Sequence, residues 1–349
     1  MRFIITSILI GILFIPAVTG GQTSGSVVSS SDADRSFKRL EQEVARAAKV
    51  AEGMVGVGAV HIESGERISF NARERFPMAS TYKIPIALQI FTLVDRRELS
   101  LDQMVEVKQR DLRPGSGVLT PYLSKPGVSL SIRNLLELTL LISDNTATDL
   151  LLRWAGGPEA VTARMRSFGL TDINIDRPTV QMMAESSGYV LPPENEWTPE
   201  LFKKLYQSTT PDSRKEAGRR FQKDFRDTTT SETMVALLEK IYKGEILTAE
   251  SRGMLLDILE RCQTGKNRIK GLLLPETVVA HKTGSIAGSA SDVGIITLPE
   301  DAGHVVMAIY VKGTEKEAFE KERAIAQISR SIYDFFLFRP FNRQMNQGK

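Results

Sequence analysis

The chain has 349 residues, of which 42% are hydrophobic and 25% charged, a composition typical of a soluble globular protein with one large or two moderate domains. Its 45 basic and 42 acidic residues leave a net charge of only +3, so no nucleic-acid partner is predicted. The one cysteine, Cys262, cannot form an intramolecular disulfide and is interpreted as a helix-packing residue. The three histidines, His61, His281 and His304, lack the spacing of metal ligands, so no metal is expected.

The N-terminus has the pattern of an export signal. Arg2 supplies a positive charge, residues 3–18 form an apolar run, and small residues follow. We therefore predict a cleaved signal peptide at residues 1–21, a periplasmic or secreted protein, and a flexible Ser/Gly-rich tether at residues 22–34. The alternative is an uncleaved membrane anchor, but the apolar run is short for a span of about 20 residues. No stable membrane insertion is expected after cleavage.

Hydrophobic periodicity predicts an α+β fold for the rest of the chain. Helices are predicted at residues 35–52, 84–93, 132–142, 146–154 and 315–336, and strands at residues 54–62, 67–70, 278–280, 293–298 and 305–311. Because strands cluster at both ends and helices fill the middle, we predict one domain over residues 35–340 with two lobes. An antiparallel sheet with terminal helices forms one lobe (about residues 35–93 and 255–340), and residues 94–254 form an all-helical lobe. The cleft between the lobes is the natural site.

The run Ser80-Thr81-Tyr82-Lys83 directly precedes the predicted helix at residues 84–93. A serine hydroxyl is a weak nucleophile at neutral pH and needs a base within hydrogen-bond reach. Lys83 lies one helical turn after Ser80, which places its amine beside the hydroxyl. An amine acts as a base only when it is neutral, so this hypothesis requires a buried site and a second cation, for which Lys282 is the candidate.

Two further motifs complete the pattern. Ser143-Asp144-Asn145 follows an apolar helix, and Lys282-Thr283-Gly284 lies on a predicted strand. An S-x-x-K run alone arises on the order of once by chance in a chain of this length, but the three motifs in this order are far more specific. Together they resemble the class A β-lactamases and the wider family of penicillin-binding serine hydrolases. The resemblance extends from near Met54 to near Phe336.

The resemblance implies roles for the residues around the nucleophile. Ser80 would attack the carbonyl of a β-lactam or an acyl-D-Ala-D-Ala group and form an acyl-enzyme, while Lys83 would help to remove its proton. Ser143 would relay a proton to the departing nitrogen, and Asn145 would orient Lys83 and the substrate amide. The alternative for the last two is an ordinary polar helix terminus.

The resemblance also implies a set of groups that bind the substrate. Lys282 would supply a positive field, and Thr283 and Ser285 would hydrogen-bond the substrate carboxylate. The backbone N–H groups of Ser80 and Ser285 would form the oxyanion hole. Arg268 resembles an arginine that assists carboxylate recognition in some family members; the alternative is a solvated surface arginine.

The pattern departs from the family between Arg177 and Arg226. In the family, a carboxylate shortly after the Asp-Arg pair activates the water that releases the acyl group, but Pro178-Thr179-Val180 stands there in this sequence. The segment is also long, so we predict an insertion at about residues 178–225. Within it, helices are predicted after Thr198 and in residues 213–225.

The deacylating base is therefore not identified by a motif. Glu185 is preferred weakly over Glu216, and three more glutamates are further candidates: Glu194, Glu196 and Glu200. The alternative is that all five are solvated surface carboxylates. We also expect Arg177 and Asp227 to pair at the base of the insertion, as their counterparts do in the family.

Three functions remain open from the sequence. The first is a monomeric β-lactamase-like serine hydrolase that opens small-molecule β-lactams through acyl-Ser80 and needs no metal or organic cofactor. The second is a D,D-peptidase-like penicillin-binding enzyme that acts on cell-wall peptides. The third is a slowly deacylating sensor that binds β-lactams or muropeptides.

Overall fold

A computed structural model describes residues 30–123, 125 and 127–339. The predicted signal peptide and residues 22–29 of the predicted tether lie outside the described residues. The chain divides into residues 1–37 and residues 38–349, and the fold below is that of the second unit. In the described part of the chain, no helix has both the length and the hydropathy needed to cross a bilayer.

The strands of the described residues form one large sheet and two small ones. They are β1 (Met54–His61), β2 (Arg67–Phe70), β3 (Arg75–Pro77), β4 (Met104–Val107), β5 (Val128–Ser131), β6 (Thr228–Thr230), β7 (Val279–Ile286), β8 (Ser289–Thr297) and β9 (His304–Lys312). The large sheet is antiparallel with the order β2-β1-β9-β8-β7. Strand β7, which carries Lys282-Thr283-Gly284, therefore lies at an edge of the sheet.

The helices account for most of the middle of the chain. They are α1 (Ser30–Lys49), α2 (Lys83–Asp95), α3 (Leu119–Tyr122), α4 (Ile132–Leu141), α5 (Asn145–Trp154), α6 (Gly157–Ser167), α7 (Thr179–Ser187), α8 (Pro199–Ser208), α9 (Pro211–Lys223), α10 (Ser231–Lys243), α11 (Ala249–Glu260) and α12 (Ala318–Leu337). Helices α10 and α12 pack on the large sheet, and α4, α5, α6 and α11 surround α2. The predicted α+β class with a sheet lobe and a helical lobe is confirmed.

Helix α2 is the centre of the helical lobe. Its residues are buried all round, including Ile84, Ile86 and Phe91, as expected of a helix that is apolar on every face. A single hydrophobic core continues from α2 to the sheet, where it includes Val293 and Tyr310. The start of α2 is therefore fixed in place by packing.

The first helix begins earlier than the sequence predicted. Residues 30–34 were assigned to the flexible tether, but α1 starts at Ser30. The sequence there, Ser-Ser-Asp-Ala-Asp, is of the type that favours a helix N-terminus. This signal outweighed the Ser-rich composition on which the prediction of a tether was based.

The insertion at residues 178–225 is helical. Helices α8 and α9 match the two that were predicted, whereas α7 was not predicted. Pro178 precedes α7 and Gly188 ends it with a left-handed φ of 79°, both common helix boundaries. Helix α7 packs against α9 on one side and α5 on the other, so it links the insertion to the helical lobe.

Candidate active site

The nucleophile turn is a 3-10 turn (Ala79–Tyr82) that leads directly into α2. Ala79 has a φ of +47°, a conformation that costs a non-glycine residue free energy and is common at functional sites. Thr81 Oγ1 donates to Met78 O at 2.8 Å and lies 3.1 Å from the Tyr310 hydroxyl. These buried bonds hold the turn, while Ser80 itself stays partly exposed.

Strand β7 approaches the nucleophile turn so closely that only glycine fits at position 284. A Cβ atom on Gly284 would lie 2.6 Å from Met78 O and 3.1 Å from the Ala79 Cβ. Such contacts are too short for any side chain, so the glycine of the motif permits a close backbone approach. The approach brings Ser80 next to the edge strand.

Lys83 is fully buried and bonded to the second motif. Its Nζ donates to Ser143 O at 2.7 Å and to Asn145 Oδ1 at 2.9 Å, and it lies 3.1 Å from Ser143 Oγ. These contacts connect the amine of the first motif to the backbone and to two side chains of the second motif.

Lys282 reaches the same hydroxyl from the opposite lobe. Its Nζ donates to Ser143 Oγ at 3.0 Å and to Thr283 O at 3.1 Å. Burial, followed by the charge of Lys282, lowers the pKa of Lys83 well below its usual value. Burial also lowers the pKa of Lys282, to about 8. Burial and the neighbouring charge therefore both favour the neutral form of Lys83, which is the direction that the sequence hypothesis required.

The second motif owes its position to Asp144. Its Oδ1 accepts the Ala147 N–H at 2.9 Å and caps α5, while its Oδ2 accepts from Val118 N at 2.7 Å and Leu119 N at 3.0 Å. Ser143 next to it has a φ of +61°. Asp144 thus ties the start of α5 to the neighbouring loop and holds Ser143 in a strained conformation. Sequence reasoning had given Asp144 no role.

Arg268 is buried, not solvated. Its Nη1 donates to Gly284 O at 2.9 Å and Ser291 O at 2.8 Å, and its Nη2 donates to Ser285 Oγ at 2.7 Å. The guanidinium therefore lies behind the strand that carries Thr283 and Ser285. The structure brings these three predicted substrate-binding residues together.

Asp149, which the sequence reasoning missed, joins α7 to α5. Its Oδ1 accepts the Thr179 N–H at 2.7 Å, and its Oδ2 accepts from Val180 N at 3.2 Å and from Arg113 Nε at 2.7 Å. The Thr179 hydroxyl also hydrogen-bonds the hydroxyl of Tyr82 in the nucleophile turn. The first turn of α7 is therefore fixed to Asp149 on α5 and to the Tyr82 side chain of the nucleophile turn.

Met183 of α7 lies near Asn145 of the second motif. A Cβ atom placed on Gly115 would lie 3.2 Å from Met183 Cε and 2.8 Å from Asn145 Nδ2, so the thioether and the amide are neighbours. Thr179 and Met183 are four residues apart and share one face of the helix. The face of α7 turned toward the site thus presents a hydroxyl and a thioether.

The position of Glu185 in the structure does not favour its assignment as the deacylating base. It follows Met183 by two positions, which places it on a different face of α7. Its carboxylate accepts from Arg177 and from Arg226 Nη2 (2.8 Å), and from Gln181 Nε2 (2.8 Å). These bonds commit the carboxylate to the base of the insertion.

The other candidate carboxylates are exposed. Glu216 on α9 forms loose ion pairs with Arg219 and Arg220, both at 3.6 Å. The three remaining candidates are also exposed: Glu194, Glu196 and Glu200. For these four residues the interpretation as solvated surface carboxylates agrees with the structure.

A buried ion pair closes the base of the insertion, as predicted. Arg177 Nε lies 2.5 Å from Asp227 Oδ2, and both side chains are almost fully buried. The backbone N–H groups of Asp176 and Arg177 also donate to Asp227 Oδ1, at 2.8 and 3.1 Å. The two ends of the insertion are therefore held together at its base.

The fold and these contacts bring the three motifs together, with two buried lysines that share the Ser143 hydroxyl next to the turn that carries Ser80. The profile of the Beta-lactamase enzyme family matches residues 39–336, and the chain belongs to this family. It is 27% identical to β-lactamase VEB-1 of Pseudomonas aeruginosa over 319 residues (89% of this chain and 93% of the relative). It is 28% identical to β-lactamase SME-1 of Serratia marcescens over 304 residues (86% and 88%).

Solved structures agree with this assignment. The crystal structure of a β-lactamase from Chitinophaga pinensis superposes with a TM-score of 0.69 at 27% identity, covering 85% of this chain and 98% of that one. The crystal structure of the TLA-1 extended-spectrum β-lactamase gives the same TM-score at 30% identity, covering 86% and 99%. Neighbours of this kind include class A enzymes, and the chain is a class A-like serine β-lactamase.

Proposed function

We propose that the protein opens β-lactams by acylation of Ser80 and releases the acyl group slowly. Acylation is supported by the chain of contacts from Lys282 through Ser143 to Lys83. These contacts join the three motifs in one buried network. A substrate carbonyl beside Ser80 would have a nucleophile, a base and a proton donor within one site.

Acylation would proceed with Lys83 as the base. The neutral amine takes the Ser80 proton as Oγ attacks the β-lactam carbonyl carbon, and the oxyanion is stabilised by the N–H groups of Ser80 and Ser285. The C–N bond of the ring then breaks, and the nitrogen takes the Ser143 proton. Lys83 returns its proton to Ser143 across the 3.1 Å contact, so both groups end as they began.

Substrate binding would depend on the positive edge of β7. The carboxylate of the β-lactam would accept hydrogen bonds from Thr283 and Ser285 in the field of Lys282. Arg268, which donates to Ser285 Oγ at 2.7 Å, would orient that hydroxyl and add a second positive charge.

Deacylation would be the slow step. Water needs a base to attack the ester, and general-base catalysis contributes roughly 10²- to 10⁴-fold. The face of α7 turned toward the site carries Thr179 and Met183, whereas Glu185 is bonded to Arg177 and Arg226. This arrangement also favours a second candidate function, a β-lactam-binding sensor that stays acylated. The D,D-peptidase-like function uses the same acylation residues.

The test is to mix the purified protein with a chromogenic cephalosporin and follow ring opening together with the intact protein mass. We expect a burst of one ring opened per protein, followed by slow turnover, with an adduct that is absent in Ser80→Ala. Fast turnover without a detectable adduct would contradict slow deacylation. An adduct with no turnover would favour the sensor, and release of D-Ala from a peptide would favour the peptidase. Neither adduct nor turnover would reject Ser80 as the nucleophile.

A further inference from the structure

A second cluster of reactive groups lies on strand β7 beside the serine site. His281 is fully buried, and its Nδ1 lies 2.9 and 3.1 Å from the two carboxylate oxygens of Asp292 on β8. Its other ring nitrogen, Nε2, is buried and has no hydrogen-bond partner among the described residues. The thiol of Cys262, just beyond the end of α11, lies close enough to shift the pKa of this imidazole. The three side chains form a Cys-His-Asp cluster.

The cluster is connected to the substrate-binding residues. Cys262 Sγ lies 3.3 Å from Thr264 Oγ1, and this hydroxyl lies 2.7 Å from Thr283 Oγ1. His281 and Thr283 are two residues apart on β7 and share a face of the strand, while Lys282 lies between them. A change at the thiol can therefore reach the K-T-G motif through one intervening hydroxyl.

The charges around the thiol favour its ionised form. Burial raises the pKa of Cys262, but the His281 imidazolium, Lys282 and the Thr264 hydroxyl lower it more, to about 7. Burial lowers the pKa of His281, but the Asp292 carboxylate and Cys262 raise it to about 9. The thiolate in turn raises the pKa of Lys282 and so helps to keep that ammonium charged.

We propose that Cys262 is a nucleophilic cysteine, activated by His281 and Asp292, and that mixed-disulfide formation on it by small disulfides or thiosulfonates switches off the serine site. With methyl methanethiosulfonate, the thiolate sulfur attacks the sulfenyl sulfur of the reagent. A sulfur–sulfur bond to Cys262 forms, the sulfur–sulfonyl bond breaks, and methanesulfinate leaves with the electron pair. The imidazolium keeps its proton throughout.

The adduct would act on the serine site in two ways. It removes the negative charge that faces Lys282, and it adds bulk where there is little space. A Cβ atom on Gly265 would lie only 2.2 Å from Thr283 Cγ2, so the loop from Cys262 to Gly265 cannot move toward β7. The methylthio group must therefore displace either this loop or Thr283, and substrate binding is lost.

The experiment measures labelling by methyl methanethiosulfonate in native protein and in His281→Asn between about pH 5 and pH 9. Because the chain has a single cysteine, every thiol adduct reports on Cys262. A thiol of pKa about 7 is about half ionised at pH 7, and one of ordinary pKa about 8.5 is roughly 3% ionised. We expect His281→Asn to react about threefold more slowly at pH 7, because the higher nucleophilicity of a more basic thiolate offsets part of the loss in ionised fraction. Equal rates would overturn the proposal.

Two controls keep the test decisive. If His281→Asn does not fold, the pH profile of the native protein suffices, since a midpoint above about pH 8 or labelling only after unfolding would reject the activated thiolate. Ser80→Ala should label at the native rate, so this readout is independent of the proposed β-lactam chemistry.

The second part of this proposal, inactivation of the serine site by the adduct, rests on the proposed function and is measured separately. Acylation by a chromogenic cephalosporin should fall at least tenfold in step with the adduct and recover when dithiothreitol removes it. Cys262→Ser, in which the Thr264 contact can be kept, should acylate at the same rate with and without the reagent. Labelling without loss of acylation would overturn the coupling to the serine site, and a native protein that never acylates would instead refute the proposed function.

Discussion

The serine site differs from the insertion formed by α7, α8 and α9 in the burial of its charged groups. In the serine site, Lys83 and Lys282 are fully buried and share the Ser143 hydroxyl. In the insertion, the carboxylates either point to solvent or, like Glu185, bond to arginines at its base. Perturbed pKa values depend on burial, so we assign the proposed acylation chemistry to the first region.

The largest effect is expected from a substitution in the serine site itself. Ser80→Ala removes the nucleophile, and the acylation rate should fall by about 10⁴-fold or more. Intact mass after incubation with a penicillin measures the adduct, and a thermal melt serves as the folding control, since Ser80 is partly exposed. An adduct that persists in this variant would mean that another residue is the nucleophile.

The base of the insertion is the next target. Arg177→Ala leaves the carboxylate of Asp227 buried without its cation, which should lower the free energy of unfolding by about 3 to 5 kcal/mol. Urea denaturation measures the change. The matched control is Arg220→Ala, because that arginine makes only an exposed pair with Glu216 at 3.6 Å and should cost less than about 1 kcal/mol. Similar losses in both variants would contradict a special role for the Arg177 pair.

A substitution in α7 that introduces a carboxylate tests whether deacylation is slow because the insertion supplies no base. Met183→Glu places a carboxylate next to Asn145, on the face of α7 that is turned toward the site. If deacylation is slow for want of a base, the release of the acyl group should speed up by about 10²-fold, the lower range for general-base catalysis. Rapid quench with intact mass measures the half-life of the adduct. Met183→Gln adds polarity without charge, and equal acceleration in both variants would argue against base catalysis.

The structure brings together the residues that the sequence proposed for the serine site, whereas the surrounding contacts were predicted less well. Ser80 and Lys83 lie within one turn, and Ser143 and Lys282 belong to short motifs, so local spacing was sufficient to find them. The close approach of β7 to the nucleophile turn explains why the third motif ends in Gly284. The three motifs themselves can be recognised from the sequence without knowledge of the fold.

The residues that were missed are those placed by tertiary approach. Asp149 became important only because α7 docks on α5 and presents its first N–H groups to that carboxylate. Glu185 was preferred from its position in the sequence alone, but the face of a helix cannot be assigned before the helix is recognised, and α7 was read as a loop. Cys262 was interpreted as a packing residue because His281 lies 281 − 262 = 19 positions away, although the fold brings the two side chains together.

The smallest expected effect is on the pH dependence of acylation, which distinguishes the roles of the two lysines. Lys282 has a lowered pKa of about 8, so its ammonium is present below that pH and is lost above it. Binding of the substrate carboxylate, and with it the second-order rate of acylation, should fall about tenfold between pH 8 and roughly pH 9.3. Lys83 acts in the opposite direction, since protonation of its amine on the acid side removes the base.

Lys282→Arg separates these two limbs. A guanidinium stays protonated at every accessible pH, so the alkaline fall should disappear while the acid limb, which belongs to Lys83, remains. The absolute rate should also drop, because a planar guanidinium cannot reproduce the 3.0 Å contact of Nζ with Ser143 Oγ. The shape of the profile is therefore the diagnostic quantity, measured as acylation rate against pH. An unchanged alkaline midpoint in this variant would assign that limb to a group other than Lys282.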